Sequence, residues 1–353
     1  MNNKKILMIV ASVLTLCLII GAFLSCKPTQ SVKSEVQITD QAGREVNVIT
    51  EIGKIVSLWP EATRVIIALN QGDKIVGICS MEKTDPIFTK IFPKLGDLPD
   101  LGNMQGGGIN VEELISLEPD IIFTDANQKD YADEIQKKTG IPVVCVRINP
   151  PAEGGEQSLD LIPLIGQILG EEERAKYLKD FLDKKITSIT DITSKISDDK
   201  KLKGYIAFAR DPLTTNGHKD PLQSGGVINV GESNNIWYSV NIEQVIEWNP
   251  DIIFVHILNS VMGGMGPEEI MADPQWQKVK AVEDGKVYNV VIGYLGWYPT
   301  AMIVNIMQIA KASYPEEFKN LDVEEEANLM FKEMYNVDNF FTELAQEYDI
   351  YIP

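Results

Sequence analysis

The sequence predicts an α/β protein of two similar lobes, each a mostly parallel sheet flanked by helices, joined by one long helix. Three observations carry this. The segment NVEELISLEPDIIF, Asn110 to Phe123, recurs as NIEQVIEWNPDIIF, Asn241 to Phe254, with eight positions identical. Short apolar runs alternate with amphipathic ones around both copies, the pattern of a parallel sheet covered by helices. A length of 353 residues exceeds what one hydrophobic core usually organises. The two copies lie much farther apart than the units of a solenoid, so a duplicated lobe explains them better.

Each copy has the same logic. Asn110 and Asn241 suit helix N-caps, with Glu113 and Gln244 three residues on and apolar residues at helical spacing (Val111, Leu114, Ile115; Ile242, Val245, Ile246). Pro119 and Pro250 end the helix, and Asp-Ile-Ile-Phe enters as a buried strand.

In chain order, Lys4 and Lys5 precede an uncharged apolar stretch from Ile6 to Leu24, then Ser25-Cys26. This has the form of a secretion signal over residues 1–25. The small residue before Cys26 resembles the lipobox of bacterial lipoproteins, which makes Cys26 the lipidated start of a flexible linker, residues 26–35. Left uncut, the stretch is also long enough to span a bilayer. Either way the globular part is expected at the extracytoplasmic face of the cell membrane or in the periplasm. Residues 36–154 form the N-terminal lobe: a hairpin around Ala42-Gly43, KIVSL as strand, EATRVIIALNQG as helix, KIVGIC as strand, the first repeat copy and GIPVVCV. Residues 155–200 read as the connecting helix, with Leu161, Leu164, Ile165, Ile168 and Leu169 on one side and Pro163 in the first turn. Residues 201–313 form the C-terminal lobe: GYIAFA as strand, a polar loop, LQSGGVINVG as helix, the second copy and KVYNVV. Residues 314–353 are a helical extension.

The formal charge of −19 disfavours nucleic acid as a partner, and its acidic clusters in helical stretches read as solvated surface. Cys79 and Cys145 fall in apolar strands and are expected to be buried free thiols. The chain contains no G-x-S-x-G elbow, HExxH pair, Walker loop or CxxC, so neither an enzyme of those classes nor a resident cofactor is expected.

The runs IVSLWPEATRVIIALNQGDKIVGI, NVEELISLEPDIIF, NIEQVIEWNPDIIF and DPQWQKVKAVEDGKVYNV, in this order, resemble the solute-binding proteins of ABC importers that take up iron–siderophore complexes, haem and cobalamin. The resemblance runs from about Val36 to Ser313. It implies a monomeric two-lobed receptor, ligand in the cleft between the lobes, and delivery to a membrane permease with its ATPase. It also implies an acidic residue on each lobe for docking: Glu232 on the second, and Asp85, Asp97 or Asp100 on the first.

Ligands of open α/β sheets sit beyond the carboxyl ends of the strands. That rule selects Trp59, Glu61 and Arg64 after KIVSL; Asn103 and Met104 in the first-lobe loop; Arg210, Thr215, Asn216 and His218 after GYIAFA; Tyr238; His256 after DIIFV; and Trp297 and Tyr298 after KVYNVV. Aromatic faces combined with guanidinium forks suit a large or flat metal chelate. Each residue has a structural alternative: the tryptophans as packing groups, Arg64 paired with Glu61 or Asp73, the histidines as hydrogen-bonded structural residues, and Met262 and Met265 as gap fillers. Bare Zn²⁺ or Mn²⁺ calls for several imidazoles, and the chain has only His218 and His256. A chelated cargo such as a ferric siderophore, haem or corrinoid is therefore expected. An oxyanion such as molybdate or tungstate, or another metal ion, is the alternative, and a two-lobed metal-chelate enzyme the more distant one.

Overall fold

The computed structural model describes residues 34–83, 85–103, 108–147, 159–208, 210–218, 221–235, 237–256, 264–290 and 299–353. The stretch Ile6 to Leu24, Cys26, Met104, Met262, Trp297 and Tyr298 lie outside these residues. No helix among the described residues is long and apolar enough to cross a membrane.

The described residues begin with the expected hairpin, β1 (Glu35–Thr39) and β2 (Glu45–Ile49), closed by hydrogen bonds between Asp40 and Arg44. The first-lobe sheet follows: β3 (Ile55–Ser57) and β4 (Ile75–Ile78) flank the helix Pro60–Ala68. A short ribbon, β5 (Gly102–Asn103) with β6 (Gly108–Ile109), precedes β7 (Ile121–Asp125) and β8 (Val143–Val146). The order is β4-β3-β7-β8, with every pairing parallel. The second lobe has β9 (Lys203–Phe208), β10 (Asp211–Asn216), β11 (Ile228–Asn229), β12 (Trp237–Ser239), β13 (Ile252–His256) and β14 (Val287–Val290). Its parallel part runs β11-β9-β13-β14, the same arrangement as the first sheet. Two antiparallel strands, β10 and β12, extend it from the carboxyl end of β9.

The repeat explains the likeness. Asn110 accepts the N–H of Glu113 at 3.2 Å and Asn241 that of Gln244 at 2.8 Å, starting the helices Val111–Ser116 and Ile242–Trp248. Each satisfies an N–H that the first helical turn leaves without a partner. After each proline an aspartate pegs the neighbouring strand: Asp120 accepts from Lys54 N–H and Asp251 from Lys203 N–H, both at 2.9 Å. Both strands are buried throughout because each sheet is covered on two faces. Ile121, Phe123, Ile252 and Phe254 join one core that runs through both lobes. Ile122 packs into a separate outer core of the first lobe, and Ile253 into one of the second.

Two expectations are corrected. The connection is not one long helix: Leu161–Leu169 and Glu172–Thr193 are separate helices broken at Gly170, whose φ of +72 stops the first. They pack closely at the break, where a Cβ on Gly166 would lie 2.3 Å from that of Ala175. LQSGGVINVG forms turns and the short β11 rather than a helix. Its glycines bring backbone against the helix Pro299–Ser313, since a Cβ on Gly225 would meet Ile309 at 2.4 Å. Cys79 and Cys145 are buried free thiols, and burial pushes Cys145 up to about 12. The chain closes with the helices Val323–Tyr335 and Phe340–Tyr348 and a short tail.

Candidate functional site

Strand register places the polar and aromatic groups at the carboxyl ends. Ile55 lies beside Ile121 in the first sheet, and Gly204 beside Ile252 in the second. Four residues on from each of these lie Asp125, Phe208 and His256, the last residues of their strands, and Trp59, two residues past the end of β3 at the start of the helix Pro60–Ala68. Trp59 therefore corresponds to Phe208, and Asp125 to His256. Asp125 and His256 share a face with the inner core residues of their strands, because side chains alternate along a strand.

In the second lobe three rings meet. Phe208 lies 5.1 Å from Trp237 and 5.8 Å from His256, and Trp237 lies 6.0 Å from His256. His256 is 3% exposed while Trp237 is 38% exposed, so the indole contacts both rings and keeps part of its surface open to solvent. Trp237 stands opposite Asn216 across the β10–β12 pair. The Asn216 carboxamide oxygen accepts the His218 N–H at 2.8 Å, and its buried Nδ2 has no partner among the described residues. The His218 carbonyl accepts from Asn229 Nδ2 at 2.6 Å. Thr215 and Tyr238 are also paired across the strands, on the opposite face from Asn216 and Trp237. Thr215 is buried, and the Tyr238 hydroxyl donates to the Gly231 carbonyl at 2.7 Å. Arg210 is exposed, two residues past the end of β9, and Glu232 is exposed on the loop after β11.

The first lobe is arranged differently. The helix Pro60–Ala68 is buried on every side, including Glu61 and Arg64. Arg64 does not reach the surface: it pairs with Asp85 at 2.5 Å, both side chains 1% exposed, and its guanidinium covers the Phe88 ring at 4.7 Å. Glu61 and Asp73 are the structural alternative to a ligand contact that the sequence offers Arg64; the ion pair seen is with Asp85, whose burial removes it from the candidate docking residues. Asp85 Oδ1 also accepts the N–H groups of Ile87 and Phe88. Glu82, buried nearby, is pushed up to about 8 by desolvation. Trp59 is half-buried against the core, and its buried indole N–H has no partner among the described residues. Asn103 is half-buried on β5, paired with Gly108.

Sequence reasoning missed Phe208, Trp237, Asp125 and Arg147. Burial raises the Asp125 carboxyl, which accepts the Asn127 N–H at 3.0 Å, and Arg147 donates to the Asn127 side chain at 2.5 Å. Asp125 and Arg147 end the runs DIIFTD and VVCVR, so the strand-end rule reaches both if each strand is read to its last residue. Trp237 had no such signal, since its position depends on the β10–β12 pairing.

Taken together, the second lobe offers an aromatic surface edged with amide and imidazole groups, while the strand ends of the first offer an indole and a carboxylate. No three His, Cys, Asp or Glu side chains gather as a metal-holding set among the described residues.

Comparison with known proteins agrees with the fold. The uncharacterised ABC transporter substrate-binding lipoprotein YvrC of Bacillus subtilis is 27% identical over 293 residues, 80% of this chain and 87% of its own length. The molybdate-binding protein MolA of Haemophilus influenzae is 24% identical over 327 residues, 84% of this chain and 90% of its own. Its molybdate-bound structure superposes with a TM-score of 0.72 at 23% identity, covering 86% of this chain and 98% of that one. The Fe(3+)-citrate-binding protein YfmC of Bacillus subtilis is 26% identical over 299 residues, 81% of this chain and 90% of its own. A match to the periplasmic binding protein family spans residues 55–290, and the chain belongs to that family.

Proposed function

We propose that this chain is the extracytoplasmic solute-binding lipoprotein of an ABC importer, that it captures a chelated metal between its lobes, and that it delivers the cargo to a permease. The single observation that carries the chelate reading is the ring group Phe208, Trp237 and His256 at the carboxyl end of the second sheet. An indole held by two neighbouring rings and still part-exposed presents apolar aromatic surface at low entropic cost, which suits a chelator or macrocycle better than a small hydrated anion. Trp59 and Asp125 stand at the corresponding strand ends of the first lobe. Arg210 supplies a cation for a carboxylate on the cargo, and Asn103, Asn216, His218, Trp297 and Tyr298 complete the proposed contacts. Docking falls to Glu232 with Asp97 or Asp100, all three exposed. Cys26 is the proposed lipid anchor, and Cys26→Ala should release the protein from membranes.

The kinship with MolA supports a second reading, an oxyanion held by Arg210 and backbone N–H groups. Purification from the native host separates the two. Visible absorbance that co-elutes with the protein supports the chelate, whereas colourless protein carrying molybdenum supports the oxyanion.

A further inference from the structure

The C-terminal segment makes contacts with both lobes at a single residue. Tyr348 ends the helix Phe340–Tyr348, and its ring lies 5.3 Å from the ammonium of Lys90, on the short first-lobe helix Phe88–Ile91. Lys90 also forms an ion pair with Glu347. On the other side, Asn289 of β14 donates from Nδ2 to the carbonyls of Tyr348 at 3.0 Å and Asp349 at 3.1 Å. The tail then runs along this outer strand. Tyr351 N–H donates to the Asn289 carbonyl at 2.8 Å, and the Tyr351 ring stacks on Tyr288 at 4.2 Å. Gln308, within the long buried helix, donates to the Tyr351 carbonyl at 2.7 Å.

We infer that Glu347–Tyr351 is a strap that ties the first lobe to the edge of the second-lobe sheet and so restrains the angle between the lobes. The chemistry on the two sides differs. The first-lobe grip is a half-exposed ion pair and a cation over a ring, which is weak and salt-sensitive. The second-lobe grip is made of hydrogen bonds to Asn289, which is 6% exposed, and a ring stack. A lobe movement would therefore break the Lys90 side first, leaving the strap attached to β14. The strap also covers backbone groups of β14, which is the last strand in the sheet order.

Reciprocity supplies the test, because a coupling between two grips must act in both directions. Hydrogen exchange of the full-length protein without cargo is compared with that of Lys90→Ala, which alters only an exposed side chain. Residues 287–290 and 349–352 of the variant should exchange about two- to fivefold faster although the mutation lies in the first lobe. Asn289→Ala should in turn speed exchange across residues 85–92, about tenfold. If Asn289→Ala does not fold, Tyr351→Ala takes its place. Changes confined to the mutated lobe in both variants overturn the inference.

Discussion

Asp125 and His256 hold the same place in their two lobes: each is the last residue of the repeat's strand, each is buried, and each lies at a carboxyl end of its sheet. The duplicated scaffold thus brings a carboxyl group to one side of the proposed cleft and an imidazole to the other. Trp59 and Phe208 repeat the relationship with two aromatic rings. Chemical difference at equivalent positions is what a receptor for an asymmetric cargo needs, and identical lobes would not provide it.

Trp237 should matter for cargo and little for stability. Trp237→Ala is expected to weaken binding about tenfold or more, ~1.4 kcal/mol. Trp237→Phe should recover much of the loss. Titration by calorimetry reads the affinity, and a melting curve close to the parent's checks the fold.

Arg64 and Asp85 should behave in the opposite way. Removing one partner leaves a charge buried without its counterion, so Arg64→Ala or Asp85→Asn should cost about 3–5 kcal/mol in denaturant unfolding. An Arg64→Ala protein of parental stability with lost binding would return this residue to the ligand site. Arg210→Ala, at an exposed position, should leave unfolding unchanged.

Glu82 sets a pH dependence. Its carboxyl is neutral in both states below its ordinary value of 4.5, and only the unfolded chain ionises between there and about 8. The folded state binds the extra proton, so this group's contribution to stability is full at the acidic end and falls as pH rises to about 8. Glu82→Gln should lose less stability than the parent between about pH 5 and 8, measured by thermal denaturation across that range. Parallel curves for the two proteins would contradict the assignment.

The caps test the duplication itself. Asn110→Ala and Asn241→Ala should each cost about 1 kcal/mol. Because they sit in separate lobes, the double variant should lose the sum within about 0.5 kcal/mol. Chemical denaturation of all four proteins measures it.

The sequence made some of this plain for physical reasons. Asp-Ile-Ile-Phe is readable as a central strand because a strand covered on two faces must be apolar at successive positions. The cap at Asn110 is local, three residues from the N–H it satisfies. Other features depend on contacts that no local pattern encodes. Arg64 meets Asp85 across 21 residues and an intervening strand, so the local pattern offers one as a ligand contact and the other as a docking residue. Gly170 splits the connector, although the residues on both sides of it carry helical periodicity. The sequence alone does not distinguish Trp237 from its neighbour Tyr238, since which of two adjacent residues faces the ring group is fixed only by the pairing of β12 with β10.

On the proposed function, the second-lobe ring group receives a chelated metal. Titration of the full-length protein, freed of cargo, with haemin, cyanocobalamin, ferric citrate and molybdate tests it most directly. One of the three chelates should bind with a Kd of about 1 μM or tighter, near −8.2 kcal/mol, and Trp237→Ala should weaken it. Binding of molybdate alone, dependent on Arg210 and unaffected by Trp237→Ala, would contradict it.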